Sequence, residues 1–199
     1  MSFYGFPLNT SPFRQGFVQA RGGALTDRIR DLQKVCDGLT LEDGEIGSGL
    51  EGEALKEYRS SQIGWVPVTV ETAWIYEAVA AVAIDMNHAN FGFDLSGFQP
   101  IQYTVYSHKP GDAPHYDFHT DVMAQGKHSQ RKLSLVMQLS DPLDYEGGEL
   151  IVWNSERFHV PKEKSLMVGF PSYSLHKVTP VTRGVRKSLV AWAVGPQFR

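Results

Sequence analysis

Residues 131–140 read Arg-Lys-Leu-Ser-Leu-Val-Met-Gln-Leu-Ser, and their alternation decides the fold. In a strand, successive side chains point to opposite faces. Leu133, Leu135, Met137 and Leu139 then share an apolar face, suited to packing beneath helices. Lys132, Ser134, Val136 and Gln138 share the other face, which is partly polar. That second face suits either water or the inside of a barrel holding a polar guest, and this strand alone does not separate the two.

Working outward, short β-type runs punctuated by Gly, Pro and Asp fill the C-terminal half: 99–107, 114–121, 131–140, 148–153, 157–160, 165–169, 174–181 and 185–193. Many short strands at regular spacing indicate a barrel or a double-sheet jelly roll. Toward the N-terminus the period changes. Leu25, Ile29, Leu32 and Cys36 recur at helical spacing, with Gly38 as a stop; Ile75, Val79, Val82 and Met86 do the same, with Thr69 as the expected N-cap. Each helix has one apolar stripe and should lie on one face of a sheet. Residues 1–12 read as a loop, Phe13–Ala20 as a first strand, 38–54 as a Gly-rich acidic connection and Arg59–Val68 as a strand entering a turn. With no repeat or linker, the expectation is an α+β chain forming one domain over residues 1–199: helical support and flanking strands in 1–98, a β core in 99–197.

The bulk properties exclude several function classes. A net charge of −3 and a pI near 6.2 leave no electrostatic footprint for nucleic acid or an anionic membrane. The single cysteine, Cys36, rules out an internal disulfide and suits a reducing compartment, where it reads as a small apolar helix residue. No apolar run approaches the ~20 residues needed to span a bilayer, and the N-terminal stretch lacks signal-peptide character. A soluble, cytoplasmic protein is expected, of undetermined oligomeric state.

The chemistry concentrates in Gly111–Asp121, which holds two His-x-Asp pairs, His115/Asp117 and His119/Asp121. A regular strand would put all four side chains on one face, where an imidazole and a carboxylate can grip one cation. Of the remaining histidines, His128 lies in a polar loop and reads as solvated, and His88, His108 and His159 show no partner pattern. His176 differs. A Pro-Val-Thr-Arg-Gly turn separates its strand from one carrying Arg186, Ser188, Val190 and Trp192 on a single face, and the two strands are expected to pair as neighbours. A buried cation costs several kcal/mol unless paired, and no acidic residue stands nearby in sequence. A small-molecule carboxylate would resolve this, because guanidinium binds carboxylate bidentately. Two histidines and a carboxylate leave about three sites open on an octahedral ion, the ligand set of non-haem Fe(II) oxygenases. A metal-dependent hydrolase, a cupin-type dioxygenase that uses no 2-oxoglutarate and a non-catalytic β-barrel binding module are the rival readings; a zinc hydrolase has no need of an inward arginine.

At this point the sequence resembles the Fe(II)- and 2-oxoglutarate-dependent oxygenases, in particular their prolyl-hydroxylase-like group. The resemblance covers roughly residues 99–197, more weakly back to Arg59. It rests on Tyr106, Gly111, Tyr116-x-x-His119-x-Asp121, Arg131-Lys-Leu-Ser134, Leu139-Ser-Asp-Pro, Tyr145-Glu-Gly-Gly-Glu-Leu150, Phe170-Pro-Ser, His176-x-Val-x-Pro-Val-Thr-x-Gly-x-Arg186-x-Ser188 and Trp192. It implies a double-stranded β-helix (jelly-roll, cupin-like barrel) with the two helices packed on one sheet. By its tyrosine-to-histidine spacing it implies His119, Asp121 and His176 as iron ligands, with His115/Asp117 as the alternative pair because Pro114-His115-Tyr116-Asp117 resembles the Pro-His-x-Asp of collagen-type enzymes; it implies Arg186 as the partner of the far 2-oxoglutarate carboxylate, and Ser188, Tyr106, Gln138 and Ser134 as helpers. Gln138 stands where many prolyl hydroxylases place a tyrosine that also holds 2-oxoglutarate. His115, Asp117, Arg131 and Trp192 become candidates for the pocket mouth or substrate contact. The implied cofactors are Fe(II), 2-oxoglutarate and O2, with ascorbate as a reductant. The implied reaction hydroxylates an unactivated C–H bond of a prolyl or other amino-acid residue in a protein or peptide, or of a free amino acid, releasing succinate and CO2. Nucleic-acid dealkylation is disfavoured by the acidic charge and by Trp192, where those enzymes carry a second arginine.

Overall fold

The computed structural model describes residues 18–21, 23–44, 57–154 and 156–197. The expectations for 1–12, for the start of the first strand and for 45–54 lie outside these residues. Strand β1 (Val18–Arg21) is followed by α1 (Ala24–Asp27), α2 (Ile29–Asp37), β2 (Glu42–Asp43), β3 (Gln62–Trp65) and α3 (Ala73–Met86). Then come β4 (Gly97–Phe98), β5 (Gln102–Ser107), β6 (Tyr116–His119), β7 (Arg131–Gln138), β8 (Tyr145–Gly147), β9 (Leu150–Asn154), β10 (Glu156–His159), β11 (Leu166–Pro171), β12 (Leu175–Val178) and β13 (Val181–Val194).

The strands make two antiparallel sheets. The larger runs β1-β11-β7-β13-β5-β3-β2, with β4 and β8 added along β13; the smaller runs β10-β9-β12-β6. The alternation of β7 sorts its side chains between two cores. Leu133, Leu135 and Met137 face outward onto Leu25, Leu32, Cys36, Ile75, Val79, Ala83 and Met86 from the helices. Val136 faces the second core, between the sheets, with Tyr106, Tyr145, Leu150, Val152, Phe170 and Val178. This is the double-stranded β-helix with helices on one sheet, as the sequence led us to expect. Each fully buried aliphatic side chain contributes about 1.5–3 kcal/mol, so the helix layer largely fixes the big sheet. Gly169 on β11 shows how closely it packs: a Cβ there would stand 2.7 Å from Met86 Sδ.

Three local expectations change. The second helix begins at Ala73, not after Thr69, because Thr72 bonds back to the Pro67 carbonyl and to Thr69, holding 69–72 in a turn. On its buried face Ala83 replaces the half-buried Val82. Most significantly, β12 and β13 are not neighbours: β12 pairs β9 and β6, whereas β13 pairs β7, β5, β4 and β8. The turn between them carries the chain from one sheet to the other, so His176 and Arg186 approach the interior from opposite walls. Among the described residues no helix is long and apolar enough to cross a membrane.

Candidate active site

A β-bulge decides which His-x-Asp pair reaches the interior. In the β6–β12 ladder His119 stands opposite His176 and Tyr116 opposite Val178, so Asp117 and Phe118 together face Lys177. In a regular ladder Asp117 would stand opposite Val178. The extra residue gives that inward place to Tyr116, whose ring stacks on His119 with centroids 3.5 Å apart and planes 14° apart. Asp117 turns outward and is exposed. His115 is occupied by the Ala113 and Glu57 carbonyls at 3.0 and 2.8 Å. Neither borders the cavity, so their expected place at its mouth is corrected; the bulge breaks the shared face.

His119, Asp121 and His176 meet, with one ligand atom from each lying within 4.8 Å of the others. Both imidazoles are aimed the same way. Nδ1 of His119 bonds the Asp117 carbonyl at 2.8 Å and Nδ1 of His176 bonds the Ser174 carbonyl at 2.9 Å. A ring whose Nδ1–H donates keeps its lone pair on Nε2, and both Nε2 atoms face Asp121, at 3.9 Å from Oδ1 and 3.5 Å from Oδ2. Burial, with His176 beside it, pushes His119 well below the usual imidazole range against the pull of Asp121, so the ring stays neutral. Burial works to raise the Asp121 carboxyl, but His176, His119, the Ser134 bond and Arg131 outweigh it and hold it below the usual range. Two imidazoles and one carboxylate fit a divalent transition metal and leave positions for other ligands.

Asp121 is fixed from behind. Its backbone N–H donates to the Ser172 carbonyl at 2.9 Å. The Ser134 hydroxyl donates to Oδ2 at 2.6 Å and lies 3.0 Å from Ser172 Oγ. Ser134, expected to touch the co-substrate, does not border the cavity; β7 places it against the carboxylate instead. Arg131 is stacked 3.7 Å over the Trp192 ring, donates to Gln99 Oε1 at 2.8 Å and stands 3.9 Å from Asp121 Oδ1. Burial pushes the Arg131 guanidinium down to about 10, with Asp121 opposing.

The opposite wall carries Arg186, 1% exposed. Its amino groups donate to Ser188 Oγ at 3.3 Å and Gln138 Oε1 at 3.2 Å, and its guanidinium lies 5.3 Å from the Tyr106 ring centroid. Among the described residues no carboxylate pairs with it, and its Nε–H is enclosed without a partner. A buried, unneutralised cation with an orphan donor is the fit expected for a ligand carboxylate.

Between the walls lies a cavity of about 1480 Å³ that takes in Tyr106, Tyr116, His119, Asp121, Arg131, His176, Arg186, Ser188 and Trp192. Most pockets for one small molecule hold about 300–1,000 Å³, so a co-substrate and part of a second molecule fit together. Trp65, Met123 and Leu175 border it and stay 41%, 39% and 39% exposed, an apolar rim. His128, read as a solvated loop residue, also borders the cavity. Tyr58 and Arg59 were not singled out as site residues; Arg59 lies 4.5 Å over the Tyr116 ring, and Tyr58 meets that ring edge-on.

The family model of the 2OG-Fe(II) oxygenase superfamily matches residues 101–194. A PKHD-type hydroxylase from Klebsiella pneumoniae subsp. pneumoniae is 30% identical over 175 residues, covering 84% of this chain and 73% of that protein. A Pseudomonas putida prolyl-4-hydroxylase superposes with a TM-score of 0.69 at 21% identity, covering 91% of this chain and 93% of that one. A Trichoplax adhaerens prolyl hydroxylase, in complex with a hypoxia inducible factor oxygen degradation domain peptide fragment, superposes with a TM-score of 0.67 at 15% identity, covering 90% and 83%.

Proposed function

Because the chain belongs to the 2OG-Fe(II) oxygenase superfamily, alongside its PKHD-type hydroxylases, we propose that it hydroxylates a prolyl or other amino-acid residue of a peptide or protein. It is a 2-oxoglutarate-dependent non-haem iron dioxygenase, with Fe(II), 2-oxoglutarate and O2 as its cofactors. Bound iron, with 2-oxoglutarate and O2, supplies the oxidising power that places a hydroxyl on a C–H bond while the co-substrate is cleaved to succinate and CO2.

The protein's own contribution follows from the two walls. His119 Nε2, the Asp121 carboxylate and His176 Nε2 hold the metal, each fixed through a second bond made away from it. Arg186 and Ser188 hold the far carboxylate of 2-oxoglutarate, which sets the direction from which the co-substrate approaches. Tyr106, at the Arg186 end, gives that chain an aromatic wall. On the other side Tyr116, Trp192 and Arg131 border the cavity, which gives the substrate end aromatic surface beside a guanidinium. The apolar rim and the cavity volume favour a residue presented on a chain over a free amino acid. The relative crystallised with a peptide fragment points the same way.

The observation that carries the reading is the pairing of the His119–Asp121–His176 cluster with an unneutralised Arg186 across one cavity. Its test is a peptide screen coupled to succinate release. We expect at least one proline-containing peptide to stimulate succinate formation, and Asp121→Ala to abolish that stimulation. Stimulation that survives Asp121→Ala would refute the assignment.

A further inference from the structure

The small sheet turns one face to the interior and the other away from it. On the outer face the strand period collects Phe118 from β6, Leu175 and Lys177 from β12, Trp153 from β9 and Arg157 from β10. The ladders set Trp153 directly between Leu175 and Arg157. Phe118 meets the Trp153 ring edge-on, with centroids 6.1 Å apart. The Arg157 guanidinium lies 5.0 Å over the Trp153 ring and Lys177 Nζ lies 4.4 Å over the Phe118 ring. Trp153, like Leu175, stays 39% exposed.

This face continues the mouth of the cavity. Trp65, Met123 and Leu175 form the exposed apolar rim, and Trp153 is the cross-strand neighbour of Leu175. Leu175 therefore belongs to both surfaces. Contiguous exposed apolar surface marks a binding site, and tryptophan and arginine are the commonest anchors of protein interfaces. The charges on this face are set around the aromatic centre. Among the described residues neither Arg157 nor Lys177 forms an ion pair, whereas His159 on β10 is taken by Glu149 at 3.1 Å. Asp117 stands across from Lys177 without pairing to it. We infer that the outer face of the small sheet is a docking surface for a polypeptide substrate, taking the stretch of chain that leaves the cavity past Leu175. An apolar side chain of that stretch rests on Trp153 and Leu175, and an acidic one faces Arg157 or Lys177. This rests on the reading that the cavity takes a residue presented on a chain; a free amino acid would end inside the cavity and never reach Trp153.

The test follows the fluorescence anisotropy of labelled peptide pools on protein loaded with Mn(II) and 2-oxoglutarate without O2. Every pool has a central proline. One pool has flanks of Asp, Glu, Leu and Phe, a second has Lys and Arg in place of the acids, and a third has flanks of Ser and Gly. We expect the acidic pool to bind best. Trp153→Ala should weaken it about tenfold, as loss of an aromatic anchor does, and leave the Ser and Gly pool unchanged. Arg157→Glu combined with Lys177→Glu should turn the preference toward the basic pool. Melting temperature and 2-oxoglutarate affinity should stay at their wild-type values in both variants. Wild-type protein with no preference among the pools would overturn the inference, as would a preference that survives both variants or equal weakening of all three pools. A dimer in sedimentation that Trp153→Ala dissociates would also overturn it, giving the face to a second copy of this chain. Binding of the acidic pool that depends on Trp153, with no succinate formed from any pool once Fe(II) and O2 are supplied, would instead refute the peptide-hydroxylase reading and leave the surface standing.

Discussion

Ser134→Ala should weaken metal binding without touching the cavity wall. Ser134 is fully buried, and its hydroxyl donates at 2.6 Å to Oδ2 of Asp121, while Arg131 reaches Oδ1 only at 3.9 Å. The serine therefore holds one carboxylate oxygen and leaves the other for the metal. A hydrogen bond to a charged acceptor contributes about 1.5–3 kcal/mol, and each 1.4 kcal/mol is about tenfold in affinity. Losing an outer-shell partner of a metal ligand typically lowers metal affinity about 10- to 100-fold, in agreement. The Ser172 hydroxyl, 3.0 Å behind Ser134 Oγ, remains to share the load. The single variant should therefore fall near tenfold, and Ser134→Ala combined with Ser172→Ala further. The assay is anaerobic titration of Fe(II) or Co(II) against a competing chelator, with metal-free melting temperatures as the control for folding. Affinity within about twofold of wild type in both variants would refute the claim that these serines aim the carboxylate.

Two other outcomes follow. Arg186→Ala should raise the 2-oxoglutarate requirement by roughly 30-fold or more, since truncating a buried charge partner costs about 2–5 kcal/mol in binding; succinate formation against co-substrate concentration reads it, and an unchanged requirement would contradict the hook. Gly169→Ala places a methyl 2.7 Å from Met86 Sδ; overpacking of this kind costs about 1–3 kcal/mol, eased here by the flexible thioether. A lowered denaturant midpoint with unchanged metal affinity is expected, because Gly169 packs against the helix layer.

How much of this was legible in the sequence depends on the range of the signal. The alternation of Leu133, Leu135 and Met137 against Ser134, Val136 and Gln138 needs only the strand period, and it placed the helix layer and the interior correctly. The inward direction of Arg186 and Ser188 came from the same rule. The two His-x-Asp pairs could not be separated that way, because the outcome hangs on one extra residue at Asp117–Phe118 that shifts every later side chain to the other face. Nor does sequence reveal that the turn after Val178 changes sheets, since a hairpin and a crossover can share the same turn residues. Ser134 was correctly turned inward but assigned to the co-substrate; what it touches depends on Asp121 arriving from another strand. Tyr145 was visible only as part of a motif. Its position opposite Gly184, where a Cβ would lie 1.9 Å from the Asp144 carbonyl oxygen, is a tertiary fact, although glycines at 147, 148 and 184 signal that two strands approach closely there.

The most direct test of the central claim is a crystal structure grown without O2 in Mn(II), an inert stand-in for Fe(II), and 2-oxoglutarate. The account predicts one ion bound by His119 Nε2, the Asp121 carboxylate and His176 Nε2, with the far carboxylate of 2-oxoglutarate on Arg186. An ion held instead by His115 and Asp117, or a 2-oxoglutarate whose far carboxylate points away from Arg186, would contradict it.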